Sequence, residues 1–338
     1  MPRTASPDPI DALLDKGELT SSPRSALSRE RRRDASPEHK VVQPQPQRRV
    51  AKSRVEIVRA EGWETWPWLI HGFSTRTGGV STAYRPGQPA GELNLGFTQT
   101  DARDNVFENR RRFLKALGVP ASMKLVTLKQ IHSSSVLTVG EHDLADSCQG
   151  DGLMTNQPGV LLAIQTADCI PVLVADVKKK AVAAFHAGWR GTVKRIVESG
   201  VGKMRVAFRS RPEDLVAAIG PGIAACCYAV GEEVRTEFGS QFSYVADLFH
   251  EVSDTDPVRE KYPMLFLTAR APGHSNLGPS LHLNLMEANR RQLVDAGLRS
   301  DSITVIGDCT RCQNNRYFSY RAEQGSTGRL LSVVGIRT

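Results

Sequence analysis

Residues 160–191 read VLLAIQTADCIPVLVADVKKKAVAAFHAGWRG and hold three apolar runs, VLLAIQ, PVLVAD and AVAAFH. Each run is too short for a typical helix, and each is bounded by turn signals. That is the pattern of strands buried on both faces. A cysteine, Cys169, stands at the mouth of the second run, and a histidine, His186, ends the third, just before a Gly-Trp-Arg-Gly turn. Polar groups at the ends of buried strands are costly unless they have partners. Two neighbouring strands joined by one turn would bring this thiol and this imidazole to the same rim.

Outward from this stretch the periodicity changes. DNVFENRRRFLKALG (104–118) has helical spacing and ends on Gly118 before Val-Pro. SSVLTVG (134–140) reads as a strand, GTVKRIVESGVGKMRVAF (191–208) as one amphipathic helix and LVAAIG (215–220) as a strand. GEEVRTEF and LNLMEANRRQLVDAGL (283–298) read as helices, and ITVIGD and RLLSVVGI close the chain as strands. Strands and helices mix without strict alternation, which predicts helices packed outside mixed sheets. The body starts near Val55 and forms one catalytic domain, 55–338, with a loop-rich insertion at about 243–281.

Residues 1–54 differ in kind. They are rich in Ser, Pro, Gln and Arg, lack a sustained apolar period, and read as a disordered basic tail. The tail carries 12 Lys/Arg against 7 Asp/Glu, or +5 of the net +8, and the body is close to neutral with 32 against 29. A nucleic-acid role would rest on the tail alone, so nucleic acid is not an expected partner. No run approaches the ~20 apolar residues of a membrane span. No apolar segment follows the basic start, and Asp8, Asp11, Asp15 and Glu18 speak against a transit peptide. The expected setting is the cytoplasm, and the expected state a monomer.

Six cysteines (148, 169, 226, 227, 309 and 312) are few for 338 residues and, in a reducing compartment, suit buried thiols, metal ligands or nucleophiles. A catalytic zinc needs three protein ligands and an open position. Cys169 and His186 supply two, and His132, just before the strand at 134, offers a third. Taken singly, each has a structural reading as a small buried thiol or a hydrogen-bonded ring. Spacing alone leaves both readings open. Cys226-Cys227 with Cys309-x-x-Cys312 invites a second zinc held by four thiolates, but adjacent cysteines chelate one ion poorly, so this site is not expected.

HGFSTRTGGVS (71–81), LNLG (93–96), KQIH (129–132), GDGLMT (150–155), QTADCIPVL (165–173), FHAGWRGT (185–192), AIGPGI (218–223) and FSYRAEQGSTGRLLSVVGI (318–336) together resemble the signature segments of one family. It is the purine nucleoside phosphorylase family formerly labelled laccase-domain or polyphenol-oxidase-like proteins. The resemblance covers roughly residues 68–338 and leaves the tail outside. It implies an α+β fold similar to Cys/His hydrolases, with two mixed β-sheets flanked by helices in four layers. It implies one zinc on His132, Cys169 and His186. It also implies phosphorolysis of inosine, guanosine or adenosine, action on methylthioadenosine, and deamination of adenosine.

The residues give that list a chemical sense. A zinc with an open position lowers the pKa of bound water to ~7 and polarises an oxygen ligand. Arg76, in a Gly-flanked turn, could seat phosphate, and so could Arg190 at the start of the helix after GWRG. Asn94 and Gln130 are candidates for ribose or base contacts, although amides in turns commonly cap backbone. Asp168 could orient a ligand or take a proton, or simply cap its turn. Trp189 could stack on a purine, but core filling is the expected role. The 220–223 segment GPGI is too short for a phosphate loop.

Other readings remain. A multicopper oxidase needs many histidines, often as His-x-His, and the chain has 8 with no such pair. A metal-free hydrolase or deamidase would use Cys169 as nucleophile and His186 as base, leaving His132 without a task.

Overall fold

Side-chain alternation along the central strands decides the architecture. The structure is a computed structural model, and it describes residues 54–85, 91–140, 148–252 and 280–338. The strands run β1 (Ile57–Val58), β2 (Leu69–Ser74), β3 (Thr77–Ser81), β4 (Lys124–Val126), β5 (Val136–Thr138), β6 (Gly152–Thr155) and β7 (Val160–Thr166). After these come β8 (Ile170–Asp176), β9 (Ala181–Ala187), β10 (Leu215–Ile219), β11 (Phe249–Val252), β12 (Ser280–Leu283), β13 (Ile303–Val305) and β14 (Leu330–Ile336). The helices are α1 (Arg103–Leu117), α2 (Trp189–Val193), α3 (Ile196–Phe208), α4 (Glu232–Gly239) and α5 (Leu285–Asp295).

One sheet has the order β1-β2-β14-β7-β4 and the other β13-β10-β8-β9-β6-β5, each with parallel and antiparallel pairs. On β8, Ile170, Val172 and Val174 pack in one apolar cluster with residues of α3 and α5. Leu173 and Ala175, on the opposite face, pack with Leu162, Ile164 and Val334 of the other sheet. The outer face of that sheet, through Leu161, Ala163 and Val333, packs with Phe113 and Leu117 of α1. The layers are therefore helix, sheet, sheet, helix. Strands sandwiched in this way must be apolar on both faces, and this is why VLLAIQ, PVLVAD and AVAAFH read as continuous runs.

The three runs are not three neighbours in one sheet. β8 and β9 form an antiparallel hairpin with Ile170 opposite Ala187 and Pro171 opposite His186. β7 belongs to the other sheet. Between β7 and β8 the chain crosses from sheet to sheet within Ala167–Cys169, and Asp168 takes a left-handed φ of 91° at the crossing. A non-glycine residue there costs of the order of 1–3 kcal/mol and persists only where its surroundings hold it. Each buried Val, Ile or Leu of the hairpin contributes ~1.5–3 kcal/mol, enough to carry such strain and a polar ring at its rim.

The reading of 191–208 as one helix is corrected. α2 stops at Val193 and α3 begins at Ile196, with Arg195 left-handed at φ 57°. The Thr192 carbonyl, at the break, accepts from the Arg195 N–H and from the Gln292 side chain of α5. Tertiary hydrogen bonds outweigh the continuous helical pattern.

β11 and β12 pair antiparallel, Phe249 opposite Leu283, so they are the two arms of a hairpin. Residues 253–279 of the insertion expected at about 243–281 lie outside the described residues, as do residues 1–53 of the expected basic tail. Among the described residues, no helix is long and apolar enough to cross a membrane.

Candidate metal centre

Three segments far apart in sequence converge at the sheet crossing. His186 stands on β9 one residue before its end and is 4% exposed. Cys169 precedes β8 on the paired strand. His132 lies in the segment leading to β5, with a left-handed φ of 56°. The ligand atoms of the three lie within 4.8 Å of one another, with Cys169 Sγ 3.9 Å from His132 Nε2. The two imidazole rings meet edge to face at 4.8 Å.

A carboxylate missed by the sequence reading organises the cluster. Asp151, fully buried, accepts a hydrogen bond from His186 Nδ1 at 2.8 Å. It also accepts from the backbone N–H groups of Ile131, His132 and Ser133 and from the Ser133 hydroxyl at 2.7 Å. One acidic side chain thus fixes the ring of one histidine and the backbone carrying the other. Burial opposes its charge, but the His186 ring and the Ser133 donors hold its pKa at about 2. With Nδ1 engaged, His186 is left with Nε2 for a ligand, the usual carboxylate–histidine–metal arrangement. Its signal was visible as the acid between two glycines in GDGLMT, a motif quoted for family likeness only.

Burial raises the Cys169 thiol, yet the charge of His186 and contact with His132 bring its pKa down to about 6. Burial lowers His186, and the Cys169 charge together with Asp151 raises it to about 9. Without an ion the pair is therefore thiolate and imidazolium. A dication that replaced the imidazolium proton would meet a deprotonated sulfur and two imidazoles, the donor state that metal binding requires. The donor set fits zinc: one Cys, two His and room for a fourth ligand.

Gly188 forms the back of this cradle. A Cβ there would lie 2.9 Å from Cys169 Sγ and 3.0 Å from His132 Cδ2. Its φ of −70° and ψ of 168° suit any residue, so the constraint is space and not backbone. Gly188→Ala is expected to keep the fold and lower metal affinity ~10–100-fold, the scale at which misplaced ligands are felt. A chelator competition assay beside a thermal melt checks this, and unchanged affinity would show that the glycine is dispensable.

The other expected site residues fall elsewhere. Arg76 is 2% exposed and does not face a cleft. Its guanidinium donates to Glu92 at 2.8 Å, Glu323 at 2.8 Å and the Asn314 carbonyl at 2.7 Å, and it lies 4.4 Å from the Phe318 ring. These partners make Arg76 a buried tie between segments. Asn94, fully buried, donates to Gly96 and Asp101 and accepts from the N–H groups of Gly96 and Arg329. Its amide closes a turn and joins it to the C-terminal segment. Both side chains, expected as substrate contacts, are engaged within the chain itself.

Gln130 donates to the Gln165 carbonyl and accepts from the Gln165 N–H, each at 2.8 Å, and so clips the KQIH segment to the end of β7. Asp168 accepts from Thr310 Oγ1 at 2.6 Å and from the Arg321 N–H at 2.7 Å, which ties the crossing to the C-terminal loops. Arg190 is exposed beside the ligands, stacked 4.6 Å over Trp189, on a helix of only five residues. Trp189 packs partly buried against the main cluster, as core filling requires.

Arg321 was also missed. It lies 5.1 Å over the Tyr228 ring and donates to the Ala229 carbonyl. Burial raises the Tyr228 hydroxyl, as does the charge of Cys169, while Arg321 and Arg190 pull it the other way. Tyr228 thus feels the charges of the cysteine and of both arginines.

Comparison with known proteins identifies the family. The profile of the family described as "Multi-copper polyphenol oxidoreductase laccase" matches residues 70–337. The chain belongs to that family. Within it, the chain is 33% identical over 291 residues to the purine nucleoside phosphorylase YlmD of Geobacillus stearothermophilus, covering 82% of this chain and 96% of that one. It is 38% identical over 267 residues to the purine nucleoside phosphorylase of Deinococcus radiodurans, covering 79% and 88%. The crystal structure of the Bacillus licheniformis hypothetical protein YfiH superposes with a TM-score of 0.68 at 29% identity, over 85% of this chain and 97% of that one. These likenesses bear out the resemblance and the α+β fold inferred from the sequence. Among the described residues, the laccase family name is not matched by a histidine-rich copper array. The potential metal-donor groups among the described residues are the His-Cys-His cluster and a group of four cysteines.

Proposed function

We propose that the chain is a zinc-dependent purine nucleoside phosphorylase, converting inosine, guanosine or adenosine and phosphate to free base and ribose 1-phosphate. The observation that carries the reading is the convergence of His132, Cys169 and His186 around a common point, braced by Asp151. The printed names of its relatives supply the reaction class. Methylthioadenosine phosphorolysis and adenosine deamination belong to the same proposal. Residues 55–338 are the catalytic unit.

When bound, a zinc here would act as a Lewis acid and activate an oxygen ligand. The chain's own groups do the rest. Asp151 holds the His186 ring and the His132 backbone, so the donors are placed before substrate arrives. Arg190 and Arg321 bring positive charge to the mouth, where a phosphate dianion needs it. In phosphorolysis a phosphate oxygen forms a bond to the anomeric carbon as the bond to the purine nitrogen breaks, and the base leaves with that electron pair. Holding the anion against the sugar turns an encounter of two solutes into a positioned one.

The test is phosphate-dependent release of hypoxanthine from inosine, followed through chelation and readdition of zinc or copper. Activity lost on chelation and restored by zinc, with ribose 1-phosphate as co-product, is expected. A second reading has a specific support: the Cys169 thiolate, His186 and Asp151 form the chain of contacts that a metal-free cysteine hydrolase uses. Under that reading activity survives chelation, and alkylation of Cys169 alone destroys it.

A further inference from the structure

The second donor group stands apart from the cluster described above. Cys226 and Cys227 lie in a turn after β10, and Cys309 and Cys312 in the loop after β13. Their four sulfurs lie within 4.8 Å of one another. Cys312 Sγ is 3.5 Å from Cys226 Sγ and 3.3 Å from Cys227 Sγ. All four thiols are free.

The objection to adjacent cysteines assumes an extended chain, in which neighbouring side chains point to opposite faces. Here the chain is curled: the N–H groups of Cys227 and Tyr228 both donate to the Ala224 carbonyl. In such a helical turn successive side chains diverge by ~100°, which lets both sulfurs reach one point. On the other side, Cys309-Thr310-Arg311-Cys312 forms a knuckle whose backbone folds around a sulfur. Cys309 Sγ accepts from the Ala224 N–H at 3.4 Å. A backbone donor aimed at a sulfur suits a thiolate more than a thiol.

We infer that Cys226, Cys227, Cys309 and Cys312 form a second, structural metal site for a soft divalent ion, zinc by preference. A tetrahedral zinc with Zn–S bonds of ~2.3 Å puts its sulfurs ~3.8 Å apart, the scale found here. A disulfide would close one pair to ~2.05 Å and leave the other two sulfurs without a function. Four thiolates fill the coordination sphere and leave no place for substrate, which makes this a clip.

Its position says what it clips. The Ile223 N–H donates to the Asp168 carbonyl, and Thr310, between the knuckle cysteines, donates to the Asp168 carboxylate. Tyr228 follows Cys227 directly. The ion would lock together the two loops that hold the residue preceding Cys169.

The experiment is metal analysis of the full chain purified under reducing conditions without an affinity tag. Wild-type protein is expected to hold a second equivalent of zinc. Cys169→Ala retains one equivalent, with an X-ray absorption spectrum of sulfur ligands only. Cys312→Ser loses that equivalent and keeps the one at the His-Cys-His cluster. If Cys312→Ser does not fold, the Cys169→Ala spectrum decides alone. A Cys169→Ala protein devoid of metal overturns the inference, as does a disulfide from Cys312 found by mass spectrometry in metal-free protein. Both outcomes are independent of whether the protein cleaves nucleosides.

Discussion

Cys169→Ala is expected to lose the metal of the His-Cys-His cluster and, with it, phosphate-dependent cleavage of inosine by a factor on the order of 10³, because Lewis-acid stabilisation is worth several kcal/mol and each ~1.4 kcal/mol is tenfold. The sulfur is the only anionic donor among the three, and its thiolate is formed inside a folded, half-buried rim. Two imidazoles alone make a weak site. The fold should survive, since the removed atom faces its partner donors and not the apolar layers. Far-ultraviolet circular dichroism and a thermal melt verify that, while zinc content and hypoxanthine release are read on the same preparation. Wild-type turnover in this variant would remove the basis of the proposed function.

The second large effect is expected at Asp151. Asp151→Ala leaves a ring nitrogen, three backbone N–H groups and a hydroxyl without their common acceptor. Of these donors the His186 ring is the buried one, and an unpaired buried donor costs ~1–3 kcal/mol, so this variant is expected to lose about that much stability. Asp151→Asn is the cleaner experiment, because it keeps the shape and reduces the acceptors. Metal affinity should fall ~10–100-fold, as for other carboxylates that orient a ligating histidine. Wild-type protein should show the same carboxylate in its acid limb. Its folded pKa of about 2 lies below the ordinary value of 3.8. The stabilisation is therefore present above 3.8 and is lost as pH falls through 2; it amounts to about 2 kcal/mol. Urea midpoints between pH 2 and 5 check it, and an acid limb identical in Asp151→Asn would assign the loss to other groups.

Part of this molecule was legible in the chain. The apolar runs at 160–187 gave strands because a strand covered on both faces has no polar side to show, and the β8–β9 hairpin then had to bring Cys169 and His186 together. His132 was placed by its position before a strand and by likeness of KQIH. The tertiary partners of Arg76 and Asn94 were not legible for one reason: a charged or amide side chain in a glycine-rich turn looks the same whether it awaits a ligand or closes a tertiary contact. Their partners Glu92, Glu323, Asp101 and Arg329 are up to 247 residues away in sequence. Asp151 and Arg321 lay inside quoted motifs, but no local pattern distinguishes an acid that holds two histidines from one that caps a turn.

Period, composition and spacing in the sequence alone settle where seven of the fourteen described strands and most helices lie, that both faces of the central strands are buried, and which thiol and imidazole share a rim. These are consequences of nearest-neighbour chemistry. The tertiary structure decides which sheet each strand joins, that Arg76 pairs with Glu92 and Glu323, that Asp151 braces the cluster, and that Cys226 and Cys227 meet Cys309 and Cys312. Each of these depends on through-space distances between segments whose separation along the chain carries no information about them.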